Sequence, residues 1–348
     1  MITRQSVRWI KQAACWGRPR LGPNNGPPSG MIRKRRLMDR CHCYTTDSAT
    51  STRPRAEGPI LPKPTIIYSD NHILVVNKPS GWHVVPNKPE EVVSSKEGEP
   101  QSRNTRTKCL LTQLQENRLG GGSQKHFLKP LHRIDQPCTG VVLFAKTSKA
   151  ASRISKAWKA NKVQKTYLCL IQPHNLESLR CNSISIHDNN SNQHHQWWKL
   201  EGYQHKRKKR VDSVRGWSVI TTPNDPRQDA RPVSIRWRQT QLISNVLLVE
   251  TNQGARHMIR ALLSQVGKCP ILGDSRYGFN NKSTITPSSS YRHSVALHAR
   301  GIVLPDDLTL GTTTQRYFEA PIPNRDNIWR DAHGHQIQEQ HIQRALEA

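Results

Sequence analysis

Acidic and apolar residues are both scarce in this chain. Its 348 residues include 25 Asp and Glu against 53 Lys and Arg, a formal charge of +28, and only 34% belong to the hydrophobic set. The isoelectric point is near 10.3 and the mean hydropathy is −0.73. So strong an acid deficit points to polyanionic partners, most simply nucleic acid, and is silent about fold. No apolar run approaches the roughly 20 residues that cross a bilayer, which excludes a transmembrane helix. The eight cysteines are dispersed, with Cys41 and Cys43 the only close pair. That pattern fits a reducing compartment without a disulfide framework, and no C-x-x-C pairing suggests structural zinc. Repeats of 20–50 residues are also absent, which argues against a solenoid.

The basic charge is spread along the chain. Residues 1–60 carry twelve Lys/Arg and three acids, +9 of the total +28. Ile2, Val7 and Ile10 can share a helical face ringed by Arg4, Arg8 and Lys11, before Pro19, Pro23, Pro27 and Pro28 stop any helix. An Arg-rich, acid-poor amphipathic start resembles a mitochondrial or plastid transit segment. A disordered basic arm that adds RNA affinity, with the protein in cytoplasm or nucleus, is the alternative.

Ordered structure is expected from Pro64. Ile66–Tyr68 and Ile73–Val76 read as strands around a Ser69-Asp70-Asn71 turn, and CLLTQLQEN (109–117) as a short helix. GVVLFA (140–145) reads as a strand, followed by a helix with Ala151, Ile154 and Trp158 in register and Thr147 or Ser148 as its N-cap. KTYLCLI (165–171) is a further strand, and 234–254 a strand, turn and strand. ARHMIRALLSQVG (255–267) places Met258, Ile259, Leu262, Leu263 and Val266 on one stripe of a helix closed by Gly267. Residues 294–303 complete the strand set, and the last fourteen form a peripheral helix. Stretches 87–125 and 172–232 are polar enough to be insertions. Strands outnumber helices and are often joined by hairpins, so the expected fold is α+β on a mixed, largely antiparallel sheet.

The most informative stretch is LHRIDQPCTG (131–140). An acid in a turn before an apolar strand can face a cleft, with Pro137 and Gly140 fixing the backbone that holds it. Asp135 is thus a candidate nucleophile or base, with His132 and Arg133 as charge partners; a turn aspartate that caps local N–H groups fits the same residues. HRIDQPCTGVVLFAKTSKAA also resembles the catalytic segment of the RluA-type pseudouridine synthases. So do NKPSGWHVVP, KTYLCLI, GARHMIRALLSQVGKCPILGDSRYG and SVALHARGIVL, five blocks in family order over residues 64–325.

The resemblance implies a catalytic domain at 64–325 with flanking helices and a central RNA-binding cleft, preceded by the basic segment 1–60 and followed by a C-terminal helix at 326–348. It implies isomerisation of a uridine in rRNA or tRNA, without metal or cofactor, by a monomer. Asp135 would be the catalytic carboxylate, whether it attacks the sugar, attacks the base or removes the ribose 2′ proton. Tyr167 would stack on the uracil and take part in removing the proton from C5, and Arg260 would pair with Asp135. Substrate contacts would come from Arg133, His132, Thr139, Gly140, His257 and Ile259, with His132 also shaping the turn. Cys138, Ala255 and Met258 depart from the family pattern, and Arg256 stands beside the altered position 255. Lys206-Arg207-Lys208-Lys209-Arg210 near Trp197-Trp198 could combine phosphate contact with base stacking, form a solvated loop, or serve as a nuclear import signal. The rival to an enzyme is a non-catalytic RNA-binding or ribosome-assembly protein that keeps the synthase fold.

Overall fold

The computed structural model describes residues 62–86, 108–117, 127–186, 196–206, 218–222, 230–278, 294–310, 315–323 and 328–347. The expected transit segment at 1–60, the polar stretch 87–107 and the side chains of the basic run 206–210 lie outside the described residues. Among those described, no helix is long and apolar enough to cross a membrane.

In chain order the elements are β1 (Thr65–Ser69), β2 (Ile73–Lys78), α1 (Leu110–Glu116), β3 (Lys129–Pro130), β4 (Thr139–Ala145), α2 (Ser148–Lys159), β5 (Gln164–Leu170), α3 (Leu176–Cys181), β6 (Ile184–Ile186), β7 (Trp197–Lys206), β8 (Ser218–Thr221) and β9 (Arg231–Gln239). There follow β10 (Val246–Thr251), α4 (Met258–Ala261) running into a π-helical turn at Leu262–Val266, β11 (Leu297–Val303), β12 (Tyr317–Glu319) and α5 (Glu339–Glu347). The strands make one sheet in the order β1-β2-β4-β11-β5-β10-β9-β7-β6, with β3, β8 and β12 paired at its margins. Only β4 and β11 run parallel among these pairings.

The run TGVVLFA is buried along its whole length because the strand is covered on both faces. Successive side chains leave opposite faces of a strand, so Val141 and Leu143 join Ile73 and Val75 on one side, while Val142 and Phe144 join Leu74 and Val76 on the other. Helix α2 covers the first side with Ala150, Ala151, Ile154 and Ala157. Its N-cap is Thr147, whose hydroxyl accepts from the Ala150 N–H at 3.2 Å. Lys156 and Lys159 stand in its last turn, where the helix dipole favours cations.

Three expectations are corrected. The polar stretch 172–232 supplies β6, β7 and β8, and β7 alone spans ten residues. Its alternation was hidden because Trp197 lies buried under the Arg236 guanidinium, 4.2 Å from the ring centre, while Trp198 stacks on Trp237 at 5.8 Å. Trp197 therefore offers no open face to a nucleobase. The helix expected over 255–267 begins at Met258, after His257 in the left-handed region at φ 54°, and widens into the π turn. Its predicted apolar stripe is buried, but Gly267 sits at φ −70° and Lys268 makes the left-handed turn. Gly267 is needed for room: a Cβ there would come 2.9 Å from the Leu263 carbonyl oxygen.

The third correction concerns the C-terminal helix, which is integral to the packing. It buries Ile342 and Ala345, and buried Arg300 of β11 pairs with both Glu319 and Glu339. Glu339 also accepts from the Ile322 N–H at 2.8 Å, and Arg238 donates to the Leu346 carbonyl at 3.2 Å.

Gly140, the second residue of β4, has φ 114°, where a side chain is strained, and its missing Cβ admits the backbone of Ala299, whose nitrogen would lie 2.6 Å away. Gly140→Ala should therefore cost at least about 2 kcal/mol, from left-handed strain and collision together. Urea unfolding reads this, and a wild-type midpoint would contradict the account.

Candidate active site

Asp135 lies in the turn between β3 and β4, closed by a hydrogen bond from the Cys138 N–H to the Asp135 carbonyl at 3.1 Å. Its side chain keeps 23% of its surface exposed, at one wall of a cleft of about 770 Å³ that Tyr167, His257 and Arg260 also line. Arg260 Nη1 donates to Asp135 Oδ2 at 2.6 Å. The other edge of the same guanidinium makes a two-pronged contact with Asp274, Nε to Oδ2 at 2.6 Å and Nη2 to Oδ1 at 2.7 Å. Arg260 is 4% exposed and Asp274 fully buried, so the pair exchanges solvent for mutual neutralisation. Burial works against the guanidinium's charge, but the Asp274 hydrogen bonds and the nearby Asp135 charge raise its pKa above the usual value. Asp274 further accepts from the N–H groups of Arg276 at 3.1 Å and Tyr277 at 3.3 Å.

The remaining Asp135 oxygen, Oδ1, is 3.4 Å from His257 Nε2. His257 Nδ1 is 2.8 Å from the buried Tyr277 hydroxyl, and burial lowers the imidazole to about 4, so the ring is neutral at pH 7. With the Tyr277 hydroxyl donating to Nδ1, Nε2 carries the proton and faces the carboxylate.

Tyr167 on β5 is half-buried against the same cleft, and burial raises its phenol, as do the neighbouring Cys138 and Asp135. Cys138 is buried, and desolvation raises its thiol likewise, which keeps it protonated. Arg133 stands exposed at the rim, and Ile259 contributes an apolar, buried wall. His132 and Thr139 border the cleft but spend their polar atoms on the fold. His132 Nε2 accepts from the Leu143 N–H at 3.0 Å, and the Thr139 hydroxyl is 2.8 Å from His298 Nδ1. Gly140 acts through backbone geometry. Of the positions that depart from the family pattern, Ala255 lines the cleft beside Arg256, and Met258 is buried in the core.

Three residues received no role from the sequence. Asp274 and Tyr277 lie within GDSRYG, and Lys78 within NKPSG, so each was inside a quoted block without a visible partner. Lys78 is fully buried, and its ammonium donates to the carbonyls of Pro79 at 3.0 Å, Trp82 at 2.9 Å and Gln136 at 3.1 Å. Burial lowers it to about 7. It ties the turn bearing Asp135 to the end of β2, as does the Ser80 hydroxyl donating to the Pro137 carbonyl at 3.1 Å.

The mixed sheet, with an acidic turn at one wall of a polar cleft, has the α+β pseudouridine synthase fold, as does human RNA pseudouridylate synthase domain containing 1. That solved structure superposes with a TM-score of 0.50 at 17% identity, covering 84% of this chain and 98% of the other. The family profile described as RNA pseudouridylate synthase matches residues 72–265, over half of the chain. The chain belongs to that family, in its RluA-type branch. It is 25% identical to the dual-specificity RNA pseudouridine synthase RluA of Haemophilus influenzae, over 74% of this chain and 93% of the relative. It is 27% identical to the mitochondrial pseudouridylate synthase RPUSD4 of Xenopus tropicalis, over 71% and 69%. The alignment with the uncharacterized RNA pseudouridine synthase MG370 of Mycoplasma genitalium, at 24% identity, spans 69% of this chain and 63% of that relative's length.

Three histidines are held neutral by burial: His132 at about 3, His257 at about 4 and His298 at about 4. Between pH 6.5 and about 4 the unfolded chain binds protons at these rings that the native state does not. Stability therefore falls as the pH falls through this window, by up to about 1.4 kcal/mol per pH unit per ring. Urea unfolding across pH 4–7 should show that slope, and His298→Gln should flatten it; an unchanged slope would exclude His298 as a contributor.

Proposed function

We propose that this chain isomerises uridines in rRNA or tRNA to pseudouridine, with Asp135 as the catalytic carboxylate. The observation that carries the proposal is the carboxylate held by Arg260 yet open to the cleft, beside the Tyr167 phenol. The reaction breaks the bond between ribose C1′ and uracil N1, turns the base, joins C5 to C1′, and returns to N1 the equivalent of the proton lost from C5. Atoms and charge balance without any co-reactant. Asp135 acts at the sugar–base linkage, while the Arg260 hydrogen bond holds it in one rotamer. Tyr167 packs against the everted base, and its hydroxyl takes part in removing the proton from C5. Arg133 at the rim meets the displaced strand, and His257 and Ile259 shape the wall around the base.

The net charge of +28 supports an RNA substrate, and the names of several relatives refer to tRNA or to dual specificity. A role as a purely RNA-binding relative would not require the Asp135–Arg260–Asp274 chain, which holds a solvent-facing carboxylate in one orientation.

Asp135→Asn should reduce pseudouridine formation on the order of 10³-fold or more while leaving RNA affinity nearly unchanged, and Tyr167→Phe should lower kcat more than it raises KM. Pseudouridine mapping of RNA from cells with and without the gene supplies the substrate for that assay. Substantial turnover by Asp135→Asn would overturn the assignment.

We also propose that residues 1–60 direct the protein to mitochondria. Their Arg-rich, acid-poor composition supports this, as does similarity to a relative named mitochondrial. A fluorescent fusion of residues 1–60 should co-localise with a mitochondrial marker; diffuse cytoplasmic signal would remove the proposal.

A further inference from the structure

A second feature of the same cleft lies one step from Tyr167. Lys165 and Tyr167 are two residues apart on β5, so their side chains share a face, separated by about 7 Å of strand rise. Lys165 is 4% exposed and lines the cleft. Its ammonium donates to the carbonyls of Asn252 at 2.8 Å and Gln253 at 2.9 Å, which leaves one of its three hydrogens uncommitted to these carbonyls. It also stands 5.4 Å from the centre of the Trp158 ring. His132 stacks on the same indole with ring centres 4.7 Å apart and planes 14° apart. The indole is thus fixed by two neighbours, and its N–H has no hydrogen-bond partner among the described residues.

Next in the chain after Gln253 comes Gly254, also on the cleft wall. A Cβ at Gly254 would lie 3.7 Å from Trp158 Nε1 and 3.8 Å from Lys165 Nζ. The absent side chain therefore leaves a notch bounded by a neutral N–H donor and a nearly buried cation. Preorganised donors of this kind suit an oxyanion, since holding the indole and ammonium in place has already been done by the fold. The polyanion that enters this cleft under the proposed function brings phosphates at the spacing of its own backbone, and the notch is within reach of a nucleotide next to one resting on Tyr167.

We propose that Trp158 Nε1, Lys165 Nζ and the gap at Gly254 form a phosphate-binding subsite that takes the backbone phosphate adjacent to the target uridine. The inference rests on the RNA-modifying reading of the cleft. Trp158 is a binding residue here, and its contribution falls on RNA affinity and KM, with kcat at saturation retained.

The test is a cycle on a fluorescein-labelled RNA hairpin that carries a mapped target uridine. It is prepared with the native backbone, or with a single uncharged methylphosphonate 5′ or 3′ of that uridine. Trp158→Phe keeps the ring stack with His132 and removes the N–H, while Gly254→Ala keeps the indole and fills the notch. Each variant should bind the native hairpin about tenfold more weakly, in line with loss of one hydrogen bond to a charged group. One of the two methylphosphonates should weaken wild-type binding by at least that factor and weaken each variant by less, since Lys165 remains in both. Binding of both variants at wild-type strength, or losses that simply add to those of the methylphosphonates, would overturn the subsite. A wild-type protein that binds the hairpin but leaves its uridine unchanged refutes the enzymatic reading separately, because the binding cycle is read without turnover. Thermal melting of both variants identifies any loss due to unfolding, and a folded variant with unimpaired binding ends the proposal.

Discussion

Arg260 is held between two carboxylates, and the geometry of the cleft depends on that arrangement. A guanidinium with 4% of its surface exposed is costly to bury without partners, and Asp274 provides one with a fixed, two-pronged geometry. Once that side is satisfied, only Nη1 remains directed at Asp135, at 2.6 Å. The buried aspartate thus sets the cation, and the cation sets the aspartate that solvent can reach. Asp274 itself is fixed by main-chain pairing of its loop to the sheet, through Leu272 N–H to the Leu170 carbonyl and Ala296 N–H to the Leu272 carbonyl.

The turn bearing Asp135 is secured from the opposite side by Lys78. One ammonium bonded to three carbonyls joins the end of β2, the following loop and Gln136, so a shift of the turn would strand a buried charge. The close approach of Ala299 to Gly140 adds a steric limit just beyond the turn. Such over-determination suits a site whose chemistry depends on placement and on stabilised charge. His257, in a left-handed conformation that costs a non-glycine residue energy, is held in position by Tyr277.

Much of this was legible in the sequence because it is local. The apolar run of β4, the cap at Thr147 and the buried stripe of 258–266 follow from side-chain periodicity, which needs no partner to be recognised. Asp135, Tyr167 and Arg260 could be singled out through five ordered motifs. The strands within 172–232 were not legible, since buried Trp197 is covered by arginine and the stretch reads as polar. The C-terminal helix looked peripheral for a similar reason: its charged residue Glu339 faces a buried arginine.

The sequence alone determined the strand-rich α+β class and the basic character, and its motifs singled out Asp135, Tyr167 and Arg260 but not Asp274, Tyr277 or Lys78. Tertiary structure decided which of them meet. Asp135 and Arg260 are 125 residues apart, and Lys78 and Gln136 are 58 apart. Whether an acid is paired, a lysine buried or an indole N–H left open depends on what long-range strand pairing brings beside it, and desolvation and hydrogen bonding act only through that proximity.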